Sequence, residues 1–311
     1  VLEGLRRDVN LLRDDDYSTR LRALQAIEKA LVLTKPQLSQ GDVQIALDEV
    51  LKPLLKSIAD QREKCRELAL KILKELLARC LDIVPFLPYV LSAVVDRLGA
   101  YDLEGIADLP EVMRPNPSQK PQVLKSPPES SEEVRVIIAQ LVGELINMTP
   151  PEQFLPCLDE LVTVLRALAM DPAGAAVINQ ACQSISELCQ SAPKLLLHYS
   201  ELLARSLFTA LTHKHWKVRI AGLGALGHVF YTGCYKYNHV ILEALTGFRD
   251  PNSVPIKDFY EASTKLNYFA LFVTDRSIHV REEFYRMISD LLIKLPDKYD
   301  LEPRLIPYLL S

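Results

Sequence analysis

The chain has 311 residues, 49% of them hydrophobic, with 36 basic and 40 acidic side chains and a formal net charge of -4. That balance supplies no basic surface able to neutralise a phosphate backbone, so nucleic acid is not an expected partner. With only 11 glycines, and with Leu, Ala, Glu, Lys and Arg recurring in helical rhythm, it also disfavours sheets and predicts an all-α chain.

Taken in order, the chain repeats itself. Segments aligned on Arg20, Arg66, Arg135, Ile178, Arg219 and Arg281 share one pattern. Seven positions on stand Ile27, Leu73, Val142, Ile185, Leu226 and Ile288. Ten on stand Ala30, Leu76, Leu145, Leu188, Val229 and Leu291, and eleven on stand Leu31, Leu77, Ile146, Cys189, Phe230 and Leu292. Spacings of 7, 10 and 11 mark one stripe on a helix. Each segment therefore reads as the second helix of a helix pair, over about 17–33, 62–80, 132–148, 174–191, 215–232 and 277–294. First helices are predicted between them at about 42–59, 84–99, 152–169 and 194–212. Pro88-Tyr89-Val90-Leu91-Ser92 recurs as Pro307-Tyr308-Leu309-Leu310-Ser311, with proline where a helix's first turn tolerates it.

The anchors are 46, 69, 43, 41 and 62 residues apart. Three of these intervals fit HEAT and armadillo repeats of about 40–47 residues. The fold expected is a HEAT-type α-α superhelical solenoid, armadillo-like, of about six to seven helix pairs in a single array over 1–311. The long intervals imply insertions. One, at about 104–131, is rich in proline and serine and reads as an irregular loop, with Ser126-Pro127 as a candidate phosphorylation site. The other, at about 233–257, has Gly233, Gly247 and Asp250-Pro251 breaking a helix-like run from Val240 to Leu245. Starting at Val1 and stopping at Ser311 inside a helical pattern, the chain reads as part of a longer array.

Asp14, Asp60 and Asp275 stand six residues before Arg20, Arg66 and Arg281. Such pairs predict a ladder in which each arginine bonds the aspartate of the neighbouring turn, a bidentate contact that registers one repeat on the next. Arg135 and Arg219 belong to the same series. The fourth repeat keeps Asp171 but has Ile178 where arginine would stand, so a weak rung is expected there.

Motifs that carry chemistry fail on context. Gly222-Leu223-Gly224-Ala225-Leu226-Gly227 is a literal GxGxxG with Glu243 beyond it. A dinucleotide site needs a strand before the glycines, and here a helix in repeat register surrounds them. Small residues that let two helices approach explain it better. His213 and His215 lack further ligands at zinc spacing. Cys65, Cys80, Cys157, Cys182, Cys189 and Cys234 show no CxxC, and most fall at apolar helix positions, which suits a reducing, cytosolic setting. The nearly charge-free stretch 83–95 is too short for a bilayer and holds Pro85 and Pro88, and no signal peptide is read. No enzyme, cofactor, metal, small-molecule substrate or membrane is expected. Partner contacts are expected at exposed polar positions of the second helices and at the turn around His213, His215 and Lys217.

The segment His213-Lys214-His215-Trp216-Lys217-Val218-Arg219 with the helix after it resembles the N-terminal HEAT array of the dynein axonemal assembly factor 5 family. So does Leu295-Pro296-Asp297-Lys298-Tyr299 with Leu305 to Ser311. Elsewhere the likeness is that of the generic repeat, and a Trp-x-Val-Arg turn is also found in phosphatase scaffold subunits and importin-like proteins. The resemblance implies a cytoplasmic, non-enzymatic factor in the preassembly of axonemal dynein arms for motile cilia or flagella. Its implied partners are dynein heavy and intermediate chains and chaperone-linked assembly factors. A karyopherin-like transport adaptor, or a regulatory scaffold for a phosphatase or tubulin, is the alternative. The first should carry acidic tracts and the second uniform repeats of about 39 residues.

Overall fold

The computed structural model describes residues 2–34, 37–100, 128–233, 235–246 and 267–310, and every described segment is helix or the turn joining two helices. Two compact units divide the chain, 1–164 and 165–311.

In the first unit, α1 (Leu2–Leu11), α2 (Tyr17–Leu31), α3 (Gln40–Ser57) and α4 (Glu63–Arg79) form two hairpin pairs. A 3-10 turn, Val84–Phe86, leads into α5 (Leu87–Leu98), and α6 (Glu132–Met148) follows. A second 3-10 segment, Pro151–Cys157, packs on α5 and opens α7 (Leu158–Ala169), in which the second unit begins. The second helices α2, α4 and α6 lie side by side in that order.

The second unit repeats the scheme. Its second helices are α8 (Ala175–Ser191), α11 (Trp216–Thr232) and α14 (Ile278–Lys294), with α11 packed between the other two. The other layer holds the short α9 (Ser200–Ser206) and α10 (Phe208–Leu211), then α12 (Tyr235–Thr246), α13 (Tyr268–Val273) and α15 (Lys298–Leu309). Phe269, Phe272, Phe284 and Tyr308 stack where α13, α14 and α15 meet, with Asn267 donating to the Tyr308 hydroxyl at 2.9 Å.

Local chemistry sets the helix limits. The side chains of Asp16, Ser39, Ser131 and Asn267 accept from backbone amides two or three residues into α2, α3, α6 and α13, satisfying donors that have no intrahelical partner. Pro85 and Pro88 stand in the first turns of their helices, and α5 ends at Gly99, whose φ of 66° is the left-handed conformation that favours glycine. The stripe predicted from spacing faces the core. All six residues seven positions beyond the anchors are buried, as are those at ten and eleven except Ala30 and Leu292. Each such leucine or isoleucine contributes about 1.5–3 kcal/mol through burial.

α11 is apolar nearly all round because neighbours surround it. A β-carbon at Gly222 would meet the Ala210 β-carbon at 2.9 Å, and one at Gly227 would meet Met287 Cγ at 3.3 Å. These glycines serve close packing against α10 and α14.

Three departures from the sequence reading have physical causes. α1 carries too little of the repeat pattern to be found by alignment. The run 240–245 lies inside α12, which packs on α9 within the first-helix layer. Gly233, read as a breaker, does end α11, and a β-carbon there would strike Asn238 Oδ1. Residues 128–131, placed in the first insertion, form the turn into α6. The remainder of that insertion, Ser126-Pro127 included, lies outside the described residues, as do Gly247 and Asp250-Pro251.

Candidate functional site

The recurring construction is the turn before each second helix. A side chain at its start accepts from the backbone amide two residues on. Asp14 accepts from Asp16 at 2.8 Å, Asp60 from Arg62 at 2.7 Å, Glu129 from Ser131 at 2.9 Å, Asp171 from Ala173 at 3.0 Å and Asp275 from Ser277 at 2.8 Å. Six residues beyond the start, an arginine Nη1 donates back to the carbonyls that open the turn. Arg20 reaches Asp14 and Asp15, Arg66 reaches Asp60 and Gln61, and Arg135 reaches Glu129 and Ser130. Arg219 reaches His213 and Lys214, and Arg281 reaches Asp275.

The remaining guanidinium nitrogens of Arg20, Arg66 and Arg219 cross to the next repeat. Arg20 donates to both Asp60 oxygens at 2.7 and 3.1 Å, and Arg219 to both Asp275 oxygens at 2.8 Å. These planar, two-pronged contacts fix distance and rotation between neighbouring turns. Arg66 meets a glutamate where the other rungs have aspartate. It donates to both oxygens of Glu129 at 2.7 Å. Arg97, at the end of α5, donates to the same carboxylate at 2.6 Å, and the Glu129 side chain is wholly inaccessible. Burial alone would raise the Glu129 pKa, but hydrogen bonds from Arg66, Arg97 and the Ser131 amide outweigh it and hold it at about 2. The Glu129 amide also donates to the Arg97 carbonyl at 3.1 Å. Spacing could have found Glu129, since it stands six residues before Arg135.

The ladder changes in the second unit. Ile178 occupies the arginine position and is fully buried. The following turn starts with His213, whose Nδ1 accepts from the His215 amide at 3.1 Å, as the carboxylates do elsewhere. Burial, then the neighbouring His215 and Lys214, lowers the His213 pKa below its ordinary value, which favours the neutral ring that this acceptor role requires. Arginine and carboxylate are thus replaced together on the two sides of one position.

The outer edge of these turns is basic and aromatic. Residues 213–219 and 275–282 carry Lys214, Lys217, Arg219, Arg276 and Arg281 against Asp275 and Glu282. Trp216 is 40% exposed, Ile278 is 54% exposed, and Lys214, His215, Lys217, Arg276 and His279 are exposed. The Trp216 ring lies 5.3 Å from His279 of the next turn, Lys217 Nζ lies 5.7 Å from the Trp216 ring centre, and His213 and His215 pair at 5.3 Å. Of the corresponding turns of the first unit, two are acidic, at Asp14, Asp15 and Asp16 and at Glu129, Glu132 and Glu133, and the one between them carries Arg62, Lys64 and Arg66 against Asp60 and Glu63.

Other features offer little chemistry. Burial pushes the thiols of Cys182 and Cys189 up to about 12, and burial together with Asp82 pushes Cys80 to about 11, leaving them far from the thiolate form. Among the described residues no group of three or more His, Cys, Asp or Glu could hold a metal ion, and no helix is long and apolar enough to cross a membrane.

A family model described as "Dynein axonemal assembly factor 5-like, TPR repeats" matches residues 11–113 and 122–247. The chain is 28% identical to dynein axonemal assembly factor 5 of Xenopus laevis over 315 residues, covering 100% of the chain and 31% of that protein. It is 29% identical to the Homo sapiens protein and 30% identical to that of Mus musculus, covering 30% and 29% of their lengths. The chain thus spans less than a third of these relatives. Among solved structures, Kap121p bound to RanGTP superposes with a TM-score of 0.58 at 16% identity, covering 99% of this chain and 25% of that one. A designed armadillo repeat protein in complex with the peptide (KR)4 gives 0.53 at 15% identity over 92% of this chain and 98% of its own. These likenesses show the fold, an armadillo- and HEAT-type helical solenoid, whose helix-pair spacing here exceeds the 34 residues of a TPR unit.

Proposed function

Because the chain belongs to the dynein axonemal assembly factor 5-like family, we propose that it acts as a non-enzymatic scaffold in the cytoplasmic preassembly of axonemal dynein arms for motile cilia or flagella. The family match over most of the chain carries this reading. The architecture supports it. Helix-pair repeats registered by arginine–carboxylate rungs present long rows of surface side chains, and such surfaces hold large clients through many modest contacts. Partners are then dynein heavy and intermediate chains, together with chaperone-linked assembly factors. The rungs at Arg20–Asp60, Arg66–Glu129 and Arg219–Asp275 keep the repeats in register, and the turn at His213, His215 and Lys217 meets the client.

A pull-down with the tagged chain from cytoplasmic extract of ciliated cells, probed for dynein heavy and intermediate chains, tests the proposal. Enrichment of both over a charge-matched control supports it. Their absence, with the chain folded and soluble, overturns the client assignment.

A further inference from the structure

The basic, aromatic turn edge of the second unit carries a local cost that its turn contacts repay only in part. The amino end of a helix carries partial positive charge, and acidic side chains or caps normally sit there. α6 follows the rule, with Ser131 as cap and Glu132 and Glu133 in its first turn. α8 lacks an acidic first turn and a side-chain cap too, but α11 and α14 add cations at the amino end. Neither has an acidic residue in its first turn, and neither His215 nor Ser277 makes a side-chain capping bond. Lys217 stands in the first turn of α11 with Lys214 just before it, and Arg276 precedes α14. Asp275 and the His213 ring each accept one amide at these ends, which leaves the cations of two adjacent turns in place, and local rules broken at adjacent positions mark function.

An apolar element lies in the same place. Trp216, the chain's one tryptophan, is left 40% exposed, against His279 of the next turn and Lys217 of its own, and the exposed Ile278 immediately precedes His279. Tryptophan bordered by cations is the composition of a binding hot spot. Asp275 is engaged by Arg219 and Glu282 lies beside His279, so the lysines keep their charge for an outside partner. A nucleic-acid backbone fits poorly, because the chain as a whole is at -4 and the basic groups occupy only two turns.

We propose that the edge formed by residues 213–217 and 276–279 docks an acidic peptide segment of a client protein, with carboxylates on Lys214, Lys217 and Arg276 and an apolar side chain on Trp216 and Ile278. The proposal rests on the scaffold reading only for where the peptide comes from.

Trp216 is its own reporter. The full chain is titrated with a synthetic Glu/Asp-rich peptide bearing a central leucine pair, and Trp216 fluorescence is followed. A saturable change is expected that weakens as salt is raised. It should fall by about tenfold or more in affinity in the Lys214→Glu/Lys217→Glu variant, with circular dichroism unchanged because both side chains are exposed. Trp216→Ala, followed by anisotropy of labelled peptide, should weaken binding similarly. An unchanged signal, or equal affinity in the charge-reversed variant, overturns the proposal. Single-stranded RNA binding as tightly as the peptide overturns the choice of partner, and so does a Trp216 signal that moves with protein concentration alone, which would make the occupant a second copy of this chain. Peptide binding with no dynein in the pull-down removes the client reading and leaves the site. The reverse result removes the site and leaves the client reading.

Discussion

Glu129 is the residue on which most depends. Its carboxylate, wholly inaccessible, holds Arg66 and Arg97 at once, while its backbone amide is bonded to the Arg97 carbonyl. A buried ion removed from such a group leaves its partners uncompensated, which costs about 3–5 kcal/mol even though the intact group adds little over an apolar core. Glu129→Gln keeps the shape and removes the charge, so denaturant melts near neutral pH should show a loss of that order. A loss well below about 1 kcal/mol would mean that water reaches the triad. The same residue sets an acid limb. Its pKa falls from the ordinary 4.5 to about 2 on folding, so its contribution is complete above about 4.5 and disappears as pH drops through that range toward 2. The Gln variant should lack this limb, its deficit against the parent being full above about 4.5 and closing as pH falls toward 2. The sequence showed the arginines of this cluster and half concealed its centre. A search for aspartate six residues before arginine passes over glutamate, whose extra methylene lets it take two guanidiniums, and nothing in the spacing points to Arg97.

At the scale of elements, the apolar period of the second helices was legible because burial on one face leaves a repeating mark, and observed limits fall within two residues of those read from sequence. First-helix elements were harder. α9 and α10 are short pieces, and α12 and α13 flank a long stretch without repeat register, so period alone cannot join them. The exchanged pair at Ile178 and His213 was half visible: Ile178 stood out against five arginines, while His213 looked like a surface histidine. The structure shows His213 in the carboxylate's place. If the two positions form a rung in which both ends changed together, restoring them should reveal coupling. Ile178→Arg alone places a guanidinium at a fully buried site and should destabilise, by the same logic that makes unpaired buried charge costly. His213→Asp alone should change stability little. Together they should recover part of the loss, with a favourable coupling of about 1–3 kcal/mol in a double-mutant cycle. Additive effects would show that α8 and α11 hold the two positions too far apart for a rung.

For the whole molecule the consequence of a repeat architecture is locality. Second helices pack on their neighbours in the series, α2 with α4 and α4 with α6 in the first unit, α8 with α11 and α11 with α14 in the second. Stability in such arrays is close to a sum of repeat and nearest-neighbour terms, and a damaged contact loosens its two repeats without melting distant ones. The Arg219–Asp275 rung gives a clean case, since both groups are partly buried, the bond is two-pronged, and the two residues lie 56 positions apart. Arg219→Ala should cost about 1–3 kcal/mol. Hydrogen exchange followed by mass spectrometry should show faster exchange in α11, in α14 and in the turn at 275–277, while protection in α2 and α4 stays as in the parent. Uniform acceleration along the chain would mean that it unfolds as one cooperative body, and the picture of independently registered repeats would fall.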